Sequence, residues 1–97
     1  MTGLNVYYYV KEGIMSSFVE ALDKNKIAEQ CRKENGCLQY DYFISKDCPD
    51  TILLLIERWE NADKQKVHTT QPHFLLLQDL KAKYVEKTEF FNYSDCK

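Results

Sequence analysis

The chain has no apolar run long enough to span a bilayer. Its longest aliphatic run, Ile52 to Ile56, ends at Glu57, whereas a membrane helix needs about 20 such residues. Glycine and proline are scarce, three and two among 97 residues. There is no low-complexity tract, linker or fixed-period repeat, so residues 1–97 read as a single domain. Lys and Arg number 13 against 15 Asp and Glu, interspersed, with a net charge of −2. The basic stripe that neutralises nucleic-acid phosphates is missing, so nucleic acid is not an expected partner. The four cysteines, Cys31, Cys37, Cys48 and Cys96, form no C-x-x-C pair and no zinc-finger spacing. The opening residues Met-Thr-Gly-Leu-Asn-Val carry neither a basic segment nor a long apolar core, so no export signal is expected. A cytoplasmic protein with reduced thiols and no membrane partner is the corresponding expectation.

What is there is apolar and aromatic. Hydrophobic residues make up 44% of the chain and aromatics 13%. A monomer of this size buries only about 60–65% of its unfolded surface, so a partner subunit is an early expectation.

Alternation marks four strands. Leu4 to Val10 places Leu4, Val6, Tyr8 and Val10 on one face and Asn5, Tyr7 and Tyr9 on the other. Cys37 to Ser45 sets Leu38, Tyr40, Tyr42 and Ile44 on one side, and Cys48-Pro49-Asp50 reads as a turn. Thr51 to Trp59 is apolar on both faces, so it must be covered on both. Val85 to Tyr93 is the last strand.

Helical spacing fills the gaps. Ile14, Met15, Phe18, Ala21 and Leu22 share one stripe. The phase is lost at Asp23–Lys26 and resumes with Ile27, Ala28 and Cys31, which predicts a bend or break; Gly36 then stops the helix. Asn61 is a candidate N-cap for a short helix to about Thr69. Pro72 opens another, with His73, Leu76, Leu77, Leu80 and Tyr84 on one stripe. The resulting order is β-α-β-β-α-β, an α+β ferredoxin-like domain with a four-stranded antiparallel sheet and helices on one face. The other face needs cover, and the simplest cover is a second copy, giving a C2 homodimer.

The two histidines, His68 and His73, are five residues apart with a proline between them. A metal pair on one helix needs a spacing of about four, and no nearby Cys or carboxylate completes a set, so no metal is expected. His73 reads either as a core histidine or as a pocket residue. Trp59 shares its strand face with Glu57, Leu55 and Leu53. Filling the core is one reading of Trp59. Glu57 beside two leucines must be paired or shifted in pKa, and Arg32 is one possible partner. Tyr7, Tyr8, Tyr9, Tyr40 and Tyr42 are strand formers that can also line an aromatic pocket.

Three segments carry a family resemblance: Phe18 with Arg32-Lys33-Glu34-Asn35-Gly36-Cys37-Leu38-Gln39-Tyr40, then Glu57-Arg58-Trp59, then His68-Thr69-Thr70-Gln71-Pro72-His73-Phe74. In this order they resemble the antibiotic biosynthesis monooxygenase domain and its quinol-monooxygenase relatives. The chain departs at Gln71, where Thr or Ser is more usual. The resemblance implies a dimeric α/β barrel and a pocket near Trp59, His68 and His73. It also implies a cofactor-independent monooxygenase that oxidises a quinol or phenol with O2. On that reading His68 and Trp59 are the catalytic candidates, with His68 taking or holding a proton near neutral pH. His73, Glu57, Tyr40 and Asn5 are the candidate substrate contacts. Two alternatives stay open: isomerisation of a small phosphorylated carbonyl compound, as in one relative, and a non-catalytic small-molecule-binding module. Heme-degrading relatives place their iron-ligating histidine further along the second helix, near Gln78 here, so heme is not expected.

Overall fold

In the computed structural model, which describes residues 1–95, eight elements follow one another. They are β1 (Thr2–Val10), α1 (Met15–Lys24), α2 (Ile27–Arg32), β2 (Cys37–Ile44), β3 (Ile52–Trp59), α3 (Ala62–His68), α4 (Pro72–Tyr84) and β4 (Val85–Ser94). The strands form one sheet in the order β2-β3-β1-β4, all pairs antiparallel. This is the α+β ferredoxin-like architecture expected from the sequence.

The local signals act as read. Helical phase is lost where Asn25 ends α1, its side-chain Nδ2 donating to Ala21 O at 2.8 Å. Lys26 then turns through the left-handed region at φ 52°, which separates α1 from α2. Asn61 caps α3, accepting from Lys64 N at 3.0 Å. Pro72 stands in the first turn of α4, but the N-cap Gln71 makes no side-chain cap bond. Gly36 adopts φ +88°, and Lys64 lies where a Cβ would project.

Leu4, Val6, Tyr8 and Val10 of β1 pack with Leu53, Leu55 and Trp59 of β3, Phe18 and Leu22 of α1, Ile27 and Cys31 of α2 and Leu77 of α4 in one buried core. Two β2 residues depart from the expected inward set. Leu38 and Ile44 are 58% and 51% exposed. A register shift between Cys37 and Gln39 turns Leu38 out of the alternation, as a bulge does; Ile44 closes the strand beyond the core. On the opposite face, Phe43, Phe91 and Tyr93 are 45%, 54% and 41% exposed. They stand beside Leu54, Asn5 and Gly3 in register. The ring of Tyr93 occupies the space where a Gly3 side chain would sit. Among the described residues no helix is long and apolar enough to cross a membrane, and Cys31, Cys37 and Cys48 are free thiols. Cys96 lies outside the described residues.

Candidate active site

Alternation along β3 sends Leu53, Leu55, Glu57 and Trp59 to the helix-covered side. Trp59 is fully buried, and its indole Nε1 donates to Glu57 Oε1 at 2.8 Å. Glu57 is 6% exposed, and burial pushes its carboxyl above the ordinary carboxylate range, opposed by that indole bond. Arg32 does not reach it. At the end of α2, Arg32 donates to Tyr40 O at 2.9 Å and to Asp41 at 3.1 Å, holding the outer edge of β2 instead.

The histidines converge, contrary to what their spacing suggests. The proline does not merely separate them. The chain leaves α3 at His68, turns through residues 69–71 with Gln71 N donating to His68 O, and re-enters a helix at Pro72. Their rings end 6.2 Å apart, and both reach one carboxylate oxygen. His68 Nδ1 lies 2.6 Å and His73 Nε2 lies 2.7 Å from Glu34 Oε2. Glu34 stands in the turn after α2, which Glu34 N fixes by donating to Cys31 O at 3.1 Å. A carboxylate only accepts, so each imidazole must donate. Donation to Glu34 places a hydrogen on His68 Nδ1 and on His73 Nε2, and among the described residues His68 Nε2 makes no hydrogen bond.

His68 is 1% exposed and packed in aromatics. Trp59 lies 4.7 Å from it, tilted by 33°; Phe74 meets it edge-on at 5.1 Å and Tyr40 at 5.9 Å. Tyr40 in turn meets Tyr42 at 5.7 Å. The hydroxyls of both tyrosines are buried without a hydrogen-bond partner, and burial raises both well above the ordinary phenol range. Cys31, under the same helix end, is fully buried and pushed up to about 12 by burial.

A recess of about 190 Å³ lies between α1 and the β2–β3 end. Val19, Leu22, Asp23, Tyr42, Ile44 and Leu53 line it. It adjoins a wider surface cleft of about 770 Å³ through Val19, Asp23 and Ile44. Four rings, those of Trp59, Phe74, Tyr40 and His73, surround His68. Tyr42 lines the recess, and ring contacts run from it to Tyr40 at 5.7 Å and from Tyr40 to His68 at 5.9 Å.

Of the sequence candidates, Trp59, Glu57, Tyr40, His68 and His73 come together. Asn5 does not. It pairs with Ile56 and Phe91, so strand alternation puts it on the opposite sheet face, beside Tyr7, Tyr9 and Glu89. Glu34, which joins the histidines, was visible only as one letter of the Arg32–Tyr40 segment. Nothing in its spacing of 34 residues from His68 marks the contact.

A family model described as antibiotic biosynthesis monooxygenase matches residues 1–80, and the chain belongs to that family. No protein of curated function matches it. Among solved structures, one from Nitrosomonas europaea, provisionally described as an antibiotic biosynthesis monooxygenase, is 26% identical with TM-score 0.88, covering 100% of both chains. A conserved protein from Methanosarcina mazei is 25% identical with TM-score 0.87, covering 98% of this chain and 92% of that one. A protein of unknown function from Bacteroides thetaiotaomicron, described as a candidate oxidoreductase, is 29% identical with TM-score 0.80, covering 95% and 96%.

Proposed function

We propose that this protein oxidises an electron-rich phenol or quinol with O2, without a resident cofactor, and that His68 is the general base. The observation that carries the reading is the pair of bonds from His68 and His73 to one Glu34 oxygen. They hold His68 in the tautomer whose Nε2 can take a proton. Family membership and the neighbours described as monooxygenases support the reaction class.

The substrate ring enters the recess beside Tyr42. Its hydroxyl proton goes to His68 Nε2, and the ring contacts Tyr42–Tyr40 and Tyr40–His68 link the recess to that imidazole. The phenolate gives one electron to O2, and the aryloxyl radical and superoxide join in a C–O bond on the ring. Loss of the ring C–H proton then breaks the O–O bond. One oxygen stays as a quinone carbonyl, and the other leaves as water with the proton returned by His68. Glu34 keeps the imidazolium stable while it carries that proton.

The working unit is a homodimer, supported by the exposed Phe43, Phe91 and Tyr93 on the face the helices leave open. The test is oxygen uptake against a panel of quinols, wild type beside His68→Ala. A positioned base is worth about 10²–10⁴-fold in rate, so the variant should lose that much in kcat with KM little changed. Uptake no faster than spontaneous oxidation removes the reaction, and equal uptake by His68→Ala removes the base.

A further inference from the structure

Cys31, Glu34, His68 and His73 bring one donor atom each within 4.8 Å of one another. They come from three places in the chain: the last turn of α2, the turn behind it, and the junction of α3 with α4. We propose that these four side chains form a site for a borderline-soft divalent cation of the zinc class, and that occupying it switches off the base function of His68.

The donor set decides the class. A thiolate and two imidazoles suit zinc and its neighbours, whereas Mg²⁺ and Ca²⁺ take oxygen ligands almost exclusively. The geometry is close to what such an ion needs. Bonds of about 2.0–2.3 Å in a tetrahedron put ligand atoms roughly 3.3–3.6 Å apart. The present separations run from 2.6 and 2.7 Å about Glu34 Oε2 up to the 4.8 Å limit. Glu34 would retreat by under about an ångström as the ion replaced the two N–H bonds. Side-chain exposure of 11% at Glu34 and 10% at His73 leaves an entry side, while Cys31 and His68 form the closed side.

The consequence for His68 follows from proton bookkeeping. Without metal its hydrogen is on Nδ1, bonded to Glu34. On the ion, Nδ1 gives its lone pair, the hydrogen resides on Nε2, and no base remains. The Cys31 thiol releases its proton to solvent on binding. The ion changes no oxidation state and acts as a competitor of the base.

The inference goes beyond the oxygenase reading and its first test needs no activity. Full-length protein stripped with a chelator is titrated with Co²⁺, then with Zn²⁺ against a chromophoric competitor. One equivalent of Co²⁺ should give the intense visible bands of a tetrahedral ion plus a thiolate charge-transfer band, and Zn²⁺ should displace it and raise the melting temperature. Cys31→Ser should abolish the charge-transfer band, and His73→Ala should weaken binding about 10²-fold or more. His73→Ala also serves if the buried serine prevents folding. Weak octahedral Co²⁺ spectra, or tetrahedral spectra and affinity unchanged in both variants, would overturn the site. If quinol turnover is found, stoichiometric Zn²⁺ should stop it; full activity of the zinc-loaded protein would overturn the switch alone.

Discussion

The indole Nε1 of Trp59 donates to Glu57 Oε1 across 2.8 Å, two residues back along the same strand face. This bond supports a carboxyl group that burial otherwise disfavours in its charged form. Because the folded pKa is raised, folding favours the protonated acid. The stability this contributes is fully present below the unfolded carboxyl range, about pH 4.3, and is lost as pH rises through the folded value. Glu57→Gln keeps an oxygen acceptor for the indole and cannot ionise. Relative to wild type, the variant should gain stability as pH rises from about 4 towards neutrality, with the two converging in acid. Urea unfolding across that range measures the difference. A variant that loses ground with rising pH would show a carboxylate stabilised by the fold instead.

Glu34 is expected to matter to stability as well as to proton handling. Glu34→Ala leaves two nearly buried imidazole N–H groups without an acceptor, and each costs about 1–3 kcal/mol. A loss of about 2–6 kcal/mol in urea unfolding is the expected outcome. Glu34→Gln, which retains an oxygen in place, should recover most of that stability. Equal stability of wild type and Glu34→Ala would mean the histidines satisfy themselves elsewhere.

Gln71 offers a gain. It holds the extended conformation of an N-cap, φ −78° and ψ 148°, without a cap bond, at the position where the family resemblance favours Thr or Ser. Phe74 N and Leu75 N already donate to Gln71 O, so Gln71→Ser supplies an oxygen for the His73 N–H of the first turn and should stabilise the protein by about 0.5–1 kcal/mol. The change also removes the bond from Gln71 Nε2 to Val67 O at 3.2 Å, an exposed contact. A thermal melt that falls would show that this contact outweighs the cap.

Much of the fold was legible because its signals are local. Leu4, Val6, Tyr8 and Val10 alternate, Asn61 caps α3, and the phase slip at Asp23–Lys26 marks the break before α2. Leu38 escaped that reading because a bulge changes alternation without changing composition. In the site, Trp59, Glu57 and Tyr40 followed from strand parity and the family motif, and the same parity excludes Asn5 once the register is known. The meeting of Glu34 with His68 and His73 was not legible. It depends on how a turn after α2 and a turn before α4 meet in space, and helical spacing arguments assume the continuous helix that Pro72 interrupts. The recess beside Tyr42 was hidden for a related reason, since cavities are what packing leaves over.

Assembly is the remaining expectation to check, and the open sheet face supplies a specific handle. Phe91 is 54% exposed and touches Tyr7 edge-on at 5.6 Å, so a polar residue there should leave the monomer's own core intact. In a two-fold dimer through this face, the residue appears twice. Burying one such phenyl ring contributes about 1.5–3 kcal/mol, so Phe91→Glu should lose about 3–6 kcal/mol, or roughly 10²–10⁴-fold in dissociation constant. Like charges brought together at the interface add to that loss. Wild type should sediment as a dimer at micromolar concentration, and Phe91→Glu as a monomer with unchanged circular dichroism. A wild-type monomer under those conditions would leave Phe43, Phe91 and Tyr93 without a second copy to cover them. A dimer that survives Phe91→Glu would move the interface to another surface.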